Sequence, residues 1–306
     1  MTNFIAKSVA MVRPNQFAFN PETAVNNAFQ NRMEGFTAAQ IQDIALLEFD
    51  HMVSKLRANG IEVSVFQDMG TDTPDSIFPN NWFTTFTNEV ILYSMFTPNR
   101  RNERKQEIYD ILVQKTNKPL NKELLDLESN NQILEGTGSL VCDYKSKTAF
   151  AALSPRTMPR ALEKFAKISG YEAVSFKAKG PDGNEIYHTN VMMTIADTFV
   201  LIGLETITEA NRDNVKSKLQ SLGKDIIELS NDQIFNHFCG NMLQLQNNDG
   251  QKFLVMSEEA KNSLNQEQVD NITKNHQNTI LSCPIHLIEK IGGGSARCMM
   301  AEVFYN

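Results

Sequence analysis

Cysteine is scarce and scattered in this chain. The four cysteines, Cys142, Cys239, Cys283 and Cys298, form no C-x-x-C pair and keep no finger-like spacing with histidine. That argues against a structural zinc site and against a disulfide framework, and isolated thiols suit a reducing cytoplasm. No apolar stretch approaches the length of a membrane span, and residues 1–7 carry no basic region followed by an apolar core. Positive charge is in deficit: 29 Lys and Arg against 36 Asp and Glu leave a net charge of −7. A nucleic acid or an anionic membrane would want clustered positive charge, so the expected partner is a small molecule. The sequon Asn271-Ile272-Thr273 is then a chance match. There is no low-complexity tract, no Pro/Gly/Ser-rich linker and no visible residue-level repeat. Residues 1–306 therefore read as one closed domain rather than two tethered ones, and a homo-oligomer stays open.

What is present is an alternation of short apolar runs and amphipathic helical stretches. A strand over 8–12 precedes a loop, a helix over 37–58 closed by Asn59-Gly60, and a strand over 61–66. A hairpin turning near Asn88 follows, then a helix over 101–115 leading to an apolar run at 132–141. A helix over 158–168 leads to 174–176, a hairpin over 189–204 turns near Asp197, and a helix over 209–222 precedes a hairpin of 242–246 with 252–256. The order strand, hairpin, helix recurs at very roughly 60 residues when the chain is cut into five units.

Four segments carry chemistry. In Gly292-Gly293-Gly294-Ser295-Ala296-Arg297-Cys298 a cysteine follows a glycine-rich turn and precedes a strand-like run at 299–304, where a nucleophile could sit. A buried core thiol is the bland alternative. In Tyr187-His188-Thr189-Asn190 a histidine opens an apolar run, and strand alternation would put His188 and Asn190 on one face. In Leu134-Glu135-Gly136-Thr137-Gly138 a carboxylate stands where it could orient a histidine. A P-loop is discounted there because its lysine is absent. In Phe78-Pro79-Asn80-Asn81-Trp82 two adjacent amides either cap a turn or hold a polar ligand. His51, His237, His276 and His286 read as structural or surface residues, with His237 near enough to Gly240-Asn241 to line a pocket. Cys142, Cys239 and Cys283 read as packing.

The order Asn80-Asn81, Glu135-Gly136, His188-Thr189-Asn190 and Gly292 to Cys298 resembles the guanidine-modifying, or amidinotransferase, superfamily, with arginine deiminase and dimethylarginine dimethylaminohydrolase as relatives. Ser154-Pro155-Arg156-Thr157, Arg100-Arg101 and the hairpin entry Gly240-Asn241-Met242-Leu243 resemble its further segments, so the likeness spans nearly the whole chain. The resemblance implies an α/β fold, the pentein propeller of pseudo-fivefold ββαβ units around a central channel. It implies Cys298 as nucleophile, His188 as general acid/base and Glu135 as the carboxylate that orients the histidine or binds substrate nitrogen. It further implies Arg156 and Arg100 on a substrate α-carboxylate, with Arg101 as substitute for Arg100. Asp75 and the amides become polar substrate contacts, and a loop with Phe19 and Asn20 closes over the ligand. No metal or organic cofactor is called for.

The chain departs from the arginine-processing pattern where two carboxylates would face a guanidinium: it has Asn81 and Asn190. Neutral amides lose the Coulomb attraction to a cation but can donate to a carbonyl oxygen and accept from N–H groups. A ureido compound fits better than a guanidinium, and the chain looks like the citrulline-hydrolysing branch, which releases ornithine, ammonia and carbon dioxide. An arginine or methylarginine hydrolase, an amidinotransferase and a non-catalytic binding protein of the same fold are the alternatives.

Overall fold

The computed structural model describes residues 4–305. Among these residues fifteen strands form five three-stranded sheets of one pattern, an antiparallel hairpin whose second strand takes a parallel third. Four units are continuous in sequence. The first pairs β3 (Phe83–Thr84), β4 (Val90–Leu92) and β5 (Leu120–Asn121). The second pairs β6 (Val141–Asp143), β7 (Thr148–Ala152) and β8 (Glu172–Phe176). Then come β9 (Met193–Ile195), β10 (Phe199–Ile202) and β11 (Asp225–Glu228). The fourth pairs β12 (Leu243–Gln246), β13 (Lys252–Ser257) and β14 (Asn278–Cys283). The fifth closes the ring from both ends of the chain: β15 (Ala301–Val303) runs antiparallel to β1 (Ser8–Arg13), which takes β2 (Glu62–Gln67) in parallel. This is the pentein arrangement that the resemblance implied.

Each parallel pair needs a crossover, and a helix supplies it. The helix Ala38–Ala58 starts at a Thr37–Gln40 capping box and buries Ala45, Phe49, Met52, Val53 and Leu56 on one face. Leu47, apolar but on the opposite face, is left in solvent at 70% exposure. The helix Pro159–Ser169 begins with proline in its first turn and stops at Gly170, whose φ is +72°. The first strands of neighbouring units lie side by side, β15 beside β3, β6 beside β9 and β9 beside β12. They form the inner wall, and the helices pack apolar clusters against the outer faces of the sheets.

Three expected elements differ, each for a local reason. The apolar run at 132–141 is not a strand: Leu134 makes a single bridge, Gly136–Ser139 is a helical turn, and only Val141–Asp143 joins a sheet. The helix expected over 101–115 begins at Gln106, because Pro98–Arg101 forms its own turn, closed by the Arg100–Glu103 ion pair. His188 and Asn190 do not share a strand face. Thr189–Val191 is a 3₁₀ turn, held by the Thr189 hydroxyl, which donates to Ser139 O (2.6 Å) and accepts from Ala152 N–H (2.8 Å).

Such a turn precedes the first strand of every unit. Asn81, Ser139, Asn190, Asn241 and Cys298 each stand two or three residues before β3, β6, β9, β12 and β15. The repeat that composition hid is positional: a small polar residue, one or two apolar ones, then a short inner strand.

Candidate active site

The nucleophile candidate sits on the last of these turns. Cys298 is 5% exposed, and its N–H donates to Ser295 O at 2.9 Å. The glycines before it are required by close approach: a Cβ at Gly292 or Gly294 would come within 3.0 Å of the Phe78 ring. Gly293 adopts φ +63° as it leaves the helix His286–Gly292, a conformation that glycine takes without penalty.

His188 and Glu135 meet on two adjacent turns. His188 Nε2 and Glu135 Oε2 are 2.7 Å apart, and Glu135 Oε1 accepts the Phe96 N–H at 2.9 Å. Burial alone would raise the Glu135 carboxyl, but Arg156, His188 and Arg100 together hold it well below the ordinary carboxylate range. Burial pushes His188 down to about 4 against the pull of Glu135, so the ring is neutral at pH 7. An ionised Glu135 fixes the proton on Nε2 and leaves Nδ1 as the basic nitrogen. The glycines of this motif are there for fit. A Cβ at Gly136 would overlap Asn80 O, and one at Gly138 would overlap Asn81 Nδ2 and reach within 2.8 Å of the His188 ring.

Two buried arginines flank the pair. Arg156 lies 3.5 Å from Glu135 and 4.9 Å above the Tyr187 ring, and its Nε and Nη2 both donate to Asn26 Oδ1. Arg100 holds Glu103 through Nε and Nη2 at 2.9 Å each, Asn81 Oδ1 through Nη1 at 2.9 Å, and Phe78 O at 3.2 Å. Its fork is committed, so Arg100 orients Asn81 instead of waiting for a carboxylate. Arg101, the substitute, turns away to Met95 O, Phe96 O and Glu128. Asp75 accepts from Asn20 (2.8 Å) and Thr23 (3.0 Å) through Oδ2, while its buried Oδ1 has no partner.

The amides divide. Asn80 does not line the cavity; its Nδ2 donates to the Thr137 hydroxyl at 3.3 Å. Asn81 lines it with Nδ2 unpartnered, whereas Asn190 borders a second cavity of about 360 Å³ and touches the site through Cys298, donating from Nδ2 to Sγ at 3.5 Å with Oδ1 unpartnered. Asn241, read from sequence only as a hairpin entry, is at the centre: its Nδ2 lies 3.2 Å from Cys298 Sγ and its Oδ1 accepts the Cys298 N–H at 3.3 Å. The turn position shared with Asn81 and Asn190 was the signal that could have found it. His237 faces Asp232 and Glu259 and does not line the cavity.

Residues 20–30 cover the cleft. Asn27 and Gln30 donate to Gly293 O and Gly292 O, and Thr23 and Asn20 reach Asp75. Phe19 lies outside, under Arg32 at 4.7 Å. The covered cavity measures about 20 Å³, room for about one water.

Residues 13–305 match the family model described as N,N dimethylarginine dimethylhydrolase, eukaryotic. The chain belongs to this family. Membership places it in the pentein superfamily, among hydrolases of carbon–nitrogen bonds. The N-terminal domain of a substituted ArgZ covalently bonded to a reaction intermediate superposes with TM-score 0.74 at 15% identity, over 97% of this chain and 98% of that one. ArgZ is described as an arginine dihydrolase from Cyanobacteria. A cysteine-to-serine variant of the Pseudomonas aeruginosa DDAH complexed with citrulline superposes with TM-score 0.66 at 14% identity, over 98% of this chain and 100% of that one. Likeness at this identity carries the fold alone. Among curated protein sequences none matches significantly. No helix among the described residues is long and apolar enough to cross a membrane, and no group of three His, Cys, Asp or Glu among them could hold a metal ion.

Proposed function

We propose that this protein hydrolyses citrulline to ornithine, ammonia and carbon dioxide through a covalent intermediate on Cys298. The observation that carries the choice of substrate is a pair of buried, unpartnered amide groups of opposite polarity near the thiol, Asn81 Nδ2 and Asn190 Oδ1. A ureido oxygen needs a donor and a ureido N–H an acceptor, and leaving either protein group unmet costs about 1–3 kcal/mol, which such a ligand recovers. A guanidinium has no acceptor for Asn81 Nδ2.

In this reading neutral His188 takes the thiol proton as Cys298 Sγ attacks the ureido carbon. Charge developing on the oxygen is met by the Asn81 N–H. Collapse breaks the bond from that carbon to the side-chain nitrogen, and the proton held by His188 goes to the departing amine of ornithine. Water then hydrolyses the S-carbamoyl group, and the released carbamate falls to ammonia and carbon dioxide. Glu135 stays ionised and supports the imidazolium. The unpartnered Asp75 Oδ1 takes the substrate α-ammonium. Arg156 takes the α-carboxylate in place of Asn26 Oδ1, whose two contacts already imitate a bidentate carboxylate. Since the closed cavity holds only a water, residues 20–30 must lift to admit substrate.

The family match favours a second reading, hydrolysis of arginine or a methylated arginine. Ornithine, citrulline and ammonia assays on citrulline and on arginine, with wild type and Cys298→Ala side by side, separate the two. Arginine turnover with citrulline inert would defeat the proposal.

A further inference from the structure

The sulfur of Cys298 is gripped from the fourth unit. One hydrogen on Asn241 Nδ2 points to Asn190 O (3.1 Å) and the other to Cys298 Sγ (3.2 Å), while Oδ1 accepts the Cys298 N–H (3.3 Å). Both N–H groups and the oxygen of the amide are engaged, and both of its ends hold the same cysteine. The side chain is 2% exposed, and its backbone is locked close by: a Cβ on the preceding Gly240 would overlap Val191 O. Among the described residues Sγ has no hydrogen bond to a charged group; its donors are the amides of Asn241 and Asn190. His188 is bonded through Nε2 to Glu135, and among the described residues no hydrogen bond joins its ring to Sγ before substrate enters.

A neutral thiol is a weak acceptor, so two N–H groups converging on sulfur gain far more once it carries charge. The geometry points to Asn241 as the positioning residue that fixes Cys298 for attack and stabilises its thiolate, both as it forms and as it is expelled when the intermediate is hydrolysed. This rests on Cys298 being the nucleophile. A neutral amide suits an uncharged substrate carbon: it supports the anion without placing a cation or a competing base beside the electrophile.

The test compares wild type, Asn241→Ala and Asn241→Asp as full chains. Three quantities are read: kcat and KM on citrulline, the rate of Cys298 alkylation by iodoacetamide at fixed pH with the site mapped by mass, and ultraviolet thiolate absorbance. Loss of one hydrogen bond to a charged group predicts roughly tenfold slower alkylation and a matching fall in kcat for Asn241→Ala, with KM unchanged. Asn241→Asp keeps the shape and the acceptor for the Cys298 N–H but sets an anionic oxygen beside sulfur. It should be slower still, and it decides the matter if the alanine variant fails to fold. Wild-type alkylation and absorbance in folded Asn241→Asp overturn the proposal. Should Cys298→Ala still turn over citrulline, the nucleophile reading falls, while the alkylation rates, which need no turnover, still report whether Asn241 controls this thiol.

Discussion

Two buried polar clusters occupy opposite ends of the same inner strands, and they differ in whether their groups are met. At the far end Lys224 directs Nζ to Asp143 Oδ1, Ala196 O and Asp197 O, at 2.8–2.9 Å. Arg297 pairs with Glu302, which also accepts from Tyr144, and Gln244 bridges Asp197 and Asn278. None of these groups is orphaned, although a cavity of about 360 Å³ lies among them. At the cleft end the cavity is about 20 Å³, yet Asp75 Oδ1 and Asn81 Nδ2, which line it, are buried without a partner, as is Oδ1 of Asn190, which borders the larger cavity and reaches Cys298 Sγ through Nδ2. Unmet buried groups are costly and rare, so their concentration beside one cysteine marks the reactive end better than cavity size does. The far cluster is a structural network that satisfies itself.

That contrast can be broken most directly at Cys298. Cys298→Ala should lower ornithine release from citrulline by roughly 10⁴-fold or more with the melting temperature unchanged, and retained turnover would remove the reactive end from the cleft. Next is the far cluster: Asp143→Ala strands the Lys224 ammonium and should cost about 3–5 kcal/mol in a denaturant titration, with turnover per folded molecule intact. Asn81→Ala strands only Arg100 Nη1, whose guanidinium keeps Glu103 and Phe78 O, so it should cost about 1–3 kcal/mol, less than Asp143→Ala, while activity falls; equal stability losses in the two variants would erase the distinction. Smaller again is the effect of Asn81→Asp with Asn190→Asp. Competitive turnover should move from citrulline toward guanidinium substrates by roughly tenfold to a hundredfold, and an unchanged preference would mean that the amides do not read charge.

The smallest effect concerns Glu289 beneath the cysteine loop. It accepts from the Ser295 hydroxyl at 2.5 Å. Burial, opposed by hydrogen bonds from Ser295 and Ser257, pushes its carboxyl up to about 8 from an ordinary 4.5. Between these values the folded state holds a proton that the unfolded chain has released. Its stabilisation is therefore complete below pH 4.5 and is lost as pH rises through about 8. Thermal melts should show Glu289→Gln gaining on wild type across that window, and parallel curves would refute the assignment.

Much of the fold was legible because helix caps and apolar periodicity are local. Thr37 with Gln40, Pro159 with Gly170, and the Asn248-Asp249-Gly250 hairpin carry their own boundaries. Beyond the Asn80-Asn81 and glycine-rich segments, the inner turns were not legible as turns. Met192, Met299 and Leu140 look like strand residues in sequence, and only contacts with other units, such as Thr189 with Ser139 and Gly136 against Asn80, hold those segments short of the sheet. Of the residues singled out, Glu135, His188, Arg156, Asp75, Asn81 and Asn190 gather around Cys298, whereas Asn80 turns to Thr137 and Arg101 leaves for Glu128. Which member of a like pair faces the cleft depends on the turn that carries it, and neighbours in sequence share composition but not direction.

By itself the sequence determined the kinds of groups available: one cysteine after three glycines, one histidine with a carboxylate upstream, and amides where carboxylates were expected. Tertiary structure alone decided which of them act on one another. It committed Arg100 to Glu103, and it brought Asn241, 57 residues from Cys298 along the chain, onto the sulfur. The physical reason is the ring itself: five equivalent turns converge on one axis, so residues far apart in sequence become neighbours through symmetry of position, which no local pattern records.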